Sequence, residues 1–304
     1  MRTVKTRAAI FILAALGLSI AVFLYLQGRQ AQPRPPAPSS PALHDSGPPA
    51  PADSPGQRTL TFTDSEQNPI SPQEAFGRIL AAAEAGEATA MLNLAEFYGN
   101  GWGVRQNFTE RLRWQQNAGE AGDPRGFFRA AHSLEAGLGA EADQAAARAA
   151  LEKAAKAGLA EAHLKLGQDL LAGPEADASR AAAHLEEALK GGLPLAANML
   201  ALLYLQGGGD VGADAVKARA ALEQGAELGD PEALKNLAVM NRQGWGGPQN
   251  PAEALKLYLA AQAAGWTGDG EIISALKAEL GPRGAQEAEA EARAWLESRK
   301  PISQ

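Results

Sequence analysis

GEATAMLNLAEFYGNGWGVRQNFTERLRWQQNAGEAG, residues 86–122, and GDPEALKNLAVMNRQGWGGPQNPAEALKLYLAAQAAG, residues 229–265, are two copies of one pattern. Three more copies lie between them. Gly86, Gly122, Gly158, Gly192, Gly229 and Gly265 bound the units at intervals of 36, 36, 34, 37 and 36 residues. Self-similarity at such a period points to a repeat array before any other architecture. Four residues into each unit stands a small side chain: Ala90, Gly126, Ala162, Ala196, Ala233. Eight in is an apolar one (Leu94, Ala130, Leu166, Leu200, Leu237), and nine in another small one (Ala95, Ala131, Gly167, Ala201, Ala238). Fifteen in is always glycine: Gly101, Gly137, Gly173, Gly207, Gly244. Counting fifteen back from each closing glycine finds Asn107, Asp143, Asp177, Asp214 and Asn250.

These columns predict a helical hairpin. The boundary glycine ends a helix in the left-handed conformation that only glycine adopts cheaply. In two units Asp-Pro follows at once (Asp123-Pro124, Asp230-Pro231), an N-cap and a first-turn proline that start helix A. Helix A runs to the glycine at offset fifteen, and the Asn or Asp after a short loop caps helix B. Small residues eleven past that cap (Ala118, Ala154, Ala188, Gly225, Ala261) allow close helix approach. The separation from stop glycine to cap is 6, 6, 4, 7 and 6 residues, so nearly all length variation falls in the loop. Packed helices do not tolerate insertions and loops do. Each hairpin buries its apolar face by stacking on its neighbours.

The columns resemble the Sel-one-like repeats, relatives of the tetratricopeptide repeats. The first unit carries Leu94-Ala95, Tyr98, Gly101-Trp102-Gly103-Val104, Asn107, Trp114 and Gly122; the last carries Leu237-Ala238, Gly244-Trp245-Gly246, Asn250, Ala254, Leu257-Tyr258 and Gly265. Units two to four lack the Gly-x-Gly-Val loop and the Trp-Tyr pair, and Arg111 replaces an expected small residue in unit one. The resemblance covers residues 74–265. It implies an all-α, right-handed solenoid of five hairpins and a protein-binding scaffold role, with no chemistry of its own.

Outside the repeats the chain divides by composition. Residues 1–7 carry Arg2, Lys5 and Arg7, and residues 8–26 carry no charge. Nineteen residues at about 1.5 Å each span a roughly 30 Å hydrocarbon layer. Basic residues ahead of the span keep the N-terminus cytoplasmic and send the rest across. No Ala-x-Ala follows Leu26, which favours an uncleaved signal anchor over a cleaved signal peptide. Residues 27–58 are a Pro-rich linker. Residues 59–70 hold at most a short extended piece. Residues 71–85, with Phe76, Ile79 and Leu80, form a lone helix capping the first hairpin. The five repeats then occupy 86–121, 122–157, 158–191, 192–228 and 229–265. Within 266–304, Glu271–Leu280 and Ala285–Arg299 read as two closing helices broken at Gly281-Pro282.

Charge and motifs exclude several functions. The first 58 residues hold 6 Lys/Arg against 2 Asp/Glu, leaving 22 against 33 in the remainder, so the repeat region carries about −11 of a chain total of −7. That balance opposes a nucleic-acid partner. Cysteine is absent, which removes disulfides, thiolate metal sites and cysteine nucleophiles. His44, His132, His163 and His184 show no metal-binding spacing, and neither a Gly-x-Ser-x-Gly elbow nor a phosphate loop is present. No catalytic residue, cofactor site or metal site is nominated, and the chain reads as a non-enzyme. Oligomeric state is not fixed.

What remains is surface. In tetratricopeptide-like stacks the first helices line a concave groove, and carrying those positions here nominates Arg125, Phe128, His132, Glu135, Gln168, Asn198, Lys235 and Arg242. Trp102 and Trp245, at the same offset in the first and last loops, are nominated as loop contacts. The leading expectation is a non-catalytic scaffold or regulator anchored in a bacterial inner membrane. It would be displayed in the periplasm and would hold an envelope protein or peptide in its groove. The alternative is an accessory subunit that binds cell-wall glycan or peptide for a separate hydrolase.

Overall fold

The computed structural model describes residues 61–172, 177–268 and 270–298. The anchor expected at 8–26, the linker expected at 27–58 and the stop glycine Gly173 lie outside these residues. Among those described, no helix is long and apolar enough to cross a membrane.

A two-stranded antiparallel ribbon, β1 (Phe62–Thr63) and β2 (Pro69–Ile70), precedes twelve helices. The Asp64 carboxylate closes its turn, accepting from the backbone N–H groups of Glu66 and Asn68 at 2.9 and 2.8 Å. Helix α1 (Pro72–Glu84) follows. Five hairpins come next: α2 (Ala88–Asn100) with α3 (Phe108–Glu120), α4 (Pro124–Ala136) with α5 (Gln144–Lys156), α6 (Ala160–Ala172) with α7 (Ala178–Lys190), α8 (Pro194–Gln206) with α9 (Ala215–Glu227), and α10 (Pro231–Gln243) with α11 (Pro251–Ala263). The last element, α12 (Gly270–Glu297), bends at Gly281, where the backbone leaves helical values ahead of Pro282. Each helix packs on the one before it and the one after it, which is the contact pattern of a solenoid.

The repeat columns explain the stack. All twenty residues at offsets four, eight and nine, and eleven past each second cap, are buried. Small side chains sit where helices touch: a Cβ on Gly225 would lie 2.7 Å from the Ala197 Cβ and 2.8 Å from the Ala233 Cβ. Asn107, Asp143, Asp177, Asp214 and Asn250 each cap their helix by accepting a backbone N–H one turn in. The boundary and stop glycines among the described residues all take positive φ, from 66° at Gly207 to 106° at Gly265. Arg111 is accommodated by a neighbouring absence: a Cβ on Gly99 would stand 2.9 Å from the Arg111 Cδ, so the guanidinium stem lies over a bare backbone.

Candidate functional site

The first helices of the hairpins (α2, α4, α6, α8 and α10) carry a ladder of side-chain contacts from each unit to the next. Arg129 Nη1 reaches Glu96 Oε1 at 2.9 Å. Lys165 Nζ lies 3.4 Å from Glu135 Oε1 and 2.7 Å from Asp169 Oδ1. Gln168 Nε2 donates to Met199 Sδ at 3.8 Å, and Asn236 Nδ2 donates to Asn198 Oδ1 at 2.8 Å. The residue at offset seven (Arg129, Lys165, Met199, Asn236) makes the backward contact in each pair. This position was absent from the nominated set. Its signal was in the sequence, because it stays large or polar beside the small and apolar residues at offsets eight and nine.

The nominated residues divide by depth. Arg125 is exposed, and its guanidinium grips the Asp123 cap, whose carboxyl the Arg125 hydrogen bonds hold below the usual carboxylate range. Phe128 is half-buried against the Leu112–Leu166 core, with the exposed His132 ring edge-on at 4.7 Å. His132 Nδ1 lies 3.7 Å from Glu135. Arg242 and Gln168 are half-buried. Asn198 and Lys235 sit inside the stack, at 8% and 5% exposure. Asn198 Nδ2 donates to Asp230 Oδ2 at 2.8 Å, and Lys235 Nζ meets Glu232 at 2.7 Å. Asn198 belongs to the joint between the fourth and fifth hairpins rather than to an open face, and Lys235 is buried beside Glu232 of its own helix.

Trp102 and Trp245 fold inward. Trp102 stands edge-on to Phe97 at 5.6 Å and to Phe62 of the ribbon at 5.9 Å, and Trp245 packs on the C-terminal core. Their loops have a mechanical role. In three units the glycine at offset seventeen presses on the first residue of an earlier helix. A Cβ on Gly103, Gly139 or Gly246 would lie 2.1, 2.1 and 2.3 Å from the carbonyl oxygens of Pro72, Phe108 and Ala215. Gly137-Leu138-Gly139 therefore keeps the Gly-x-Gly signature in a unit whose sequence reads as degenerate, whereas a Cβ on Gly209 would meet only the Ala178 Cβ at 3.7 Å. Unit three has Glu175 there.

The face changes character along its length. It is charged over α2, α4 and α6 and apolar at α8, where Leu195 (51% exposed) shares one stripe with the half-buried Met199 and Leu202. Among the described residues no cluster of three or more His, Cys, Asp or Glu could hold a metal ion.

A family model described as Sel1 repeat matches residues 88–123, 128–159, 160–193, 194–230 and 231–265. The chain belongs to the Sel1 repeat family. Among solved structures, a Sel1 repeat protein from Oxalobacter formigenes is similar at 26% identity and a TM-score of 0.59, over 75% of this chain and 93% of that one. A protective antigen of uropathogenic Escherichia coli displaying an SLR fold is similar at 20% identity and a TM-score of 0.42, over 77% of this chain and 68% of that one. No curated protein matches. Sel1 repeats are protein-binding scaffolds, so protein partners follow for this chain at that level.

Proposed function

We propose that this Sel1 repeat chain is a membrane-tethered periplasmic scaffold that holds an amphipathic segment of an envelope protein on the face of its first helices. The observation that carries the reading is the exposed Leu195, on one stripe with the half-buried Met199 and Leu202, beside a charged ladder. A partner helix or extended segment with an apolar edge and mixed charge would cover both. Apolar surface left open beside polar groups is the usual composition of a binding patch. The tether rests on the uncharged residues 8–26 behind Arg2, Lys5 and Arg7. The glycan alternative draws no support from Trp102 or Trp245, whose rings pack inward.

The test places a photocrosslinking amino acid at Leu195, at His132 and, as a reference, at Glu223 on a second helix, in cells expressing the full chain. The expected result is a discrete protein adduct from Leu195 and His132 but not from Glu223, lost when Leu202 is changed to Asp. Adducts only from Glu223, or no adduct while the chain sediments with purified peptidoglycan, would overturn the reading. Removing residues 1–26 should move the chain from the membrane to the soluble fraction, and an unchanged distribution would refute the tether.

A further inference from the structure

We propose that His163 and His184 form a binding site for a divalent transition cation of the Zn2+ type, pinned between α6 and α7 in the third hairpin. The two Nδ1 atoms stand 3.0 Å apart, with the rings tilted and their centroids 5.2 Å apart. His163 Nε2 lies 3.0 Å from the Ala155 carbonyl oxygen, which only accepts, so Nε2 carries the proton and Nδ1 presents a lone pair toward His184. A backbone carbonyl that fixes the far ring nitrogen is the usual outer partner of a metal-ligating histidine. The near nitrogens are spaced for a metal as well. Two Zn–N bonds of about 2.0–2.1 Å at a tetrahedral angle put the nitrogens about 3.3 Å apart, a few tenths of an ångström beyond the present spacing.

At present a proton on His184 Nδ1 bridges the pair. When the cation takes its place, that proton moves to His184 Nε2, so neutral rings bind without net proton release. Both rings are half-buried, and burial first, then any charge on His163, holds His184 below its ordinary 6.5, which favours the neutral His184 ring that ligates. The charged groups that act on the pair are Arg148 and Glu152 on α5 and Arg180 and Glu187 on α7. No third protein ligand completes the set among the described residues, so water fills the remaining positions.

The test is calorimetric titration of the full-length chain, in detergent, with Zn2+ at about pH 7.5 and about pH 5.5. The expected result is one saturable site at the higher pH, weaker by at least about tenfold at the lower. It should be absent in His163→Gln and His184→Gln and retained in His44→Gln and His132→Gln. If the glutamine variants fail to fold, 15N imidazole spectra of the unaltered chain decide. Zn2+ should then move the Nδ1 signals of His163 and His184 together and leave those of His44 and His132 in place. No saturable uptake, uptake that survives both glutamine changes in folded protein, or Nδ1 signals that stay fixed would each overturn the site.

Discussion

A Cβ at Gly139 would lie 2.1 Å from the Phe108 carbonyl oxygen, whereas one at Gly158 would meet nothing within 4 Å. Both glycines have positive φ, 90° and 86°. Gly158→Ala therefore meets only the left-handed backbone penalty, about 1 kcal/mol. Gly139→Ala meets that penalty and a backbone clash that lifts the loop off α3, and should cost about 3 kcal/mol. Urea denaturation of the two variants checks the ranking, and equal midpoints would sink this account of the loops. The boundary glycines were legible because their role is local. The buried amide joint was not: Asn198 stands where a groove residue is expected, but α10 brings Asn236 and Asp230 within hydrogen-bond reach of it. Asn198→Ala leaves those partners unmatched and should destabilise the chain by about 1–3 kcal/mol, read from the same experiment. Nothing in the spacing of single residues reports which of two helices will approach that closely.

The helices themselves were readable, since caps, stop glycines and small-residue columns agree in every unit, and local agreement of that kind specifies hairpins without any knowledge of the stack. The closing element shows the other limit. Its break at Gly281-Pro282 was plain, but not that the two halves fold together, with Lys277 Nζ 2.7 Å from Glu289 across the bend. Ile273 and Leu276 of α12 are buried in the C-terminal core, and Trp266 just ahead of it packs on Tyr258 with ring centroids 5.5 Å apart. Terminal elements of a solenoid must present a polar outer side. A chain ended after Gly265 uncovers Leu255, Leu257 and Tyr258 on α11, so it should self-associate in sedimentation and unfold well below the full chain. A monomer of unchanged thermal midpoint would show that α12 is not a cap.

Over the described residues the buried core falls into three clusters. One joins α1 to α3, one runs from Leu112 to Leu166, and the largest runs from Ala178 to Ala288. Within the third hairpin Leu164 and Leu171 of α6 pack on the largest cluster, Gly167 lies against Leu185 of α7, and the His163–His184 contact joins the same two helices. The periodicity treats all five hairpins as equal and hides this histidine contact, because it depends on which side chains meet across a joint. The contact ties stability to pH. Burial and then the His163 charge hold His184 below its ordinary 6.5, while the unfolded chain titrates near that value. Between the two values the unfolded state binds more protons, so stability falls as pH drops below 6.5 and the whole contribution is gone below the folded value. Protonation of both rings also turns each Nδ1 into a donor and removes the bond between them, a loss of about 1 kcal/mol. Because neighbouring hairpins stabilise one another only across their shared joints, the loss should open the chain locally before it unfolds. Hydrogen exchange measured on acidification from pH 7 should therefore lose protection first in α6 and α7, with α8 to α11 following only at global unfolding. His184→Gln should flatten that pH dependence. Acid-induced exchange that rises in step along all five hairpins, or that persists unchanged in the glutamine variant, would place the weak joint elsewhere.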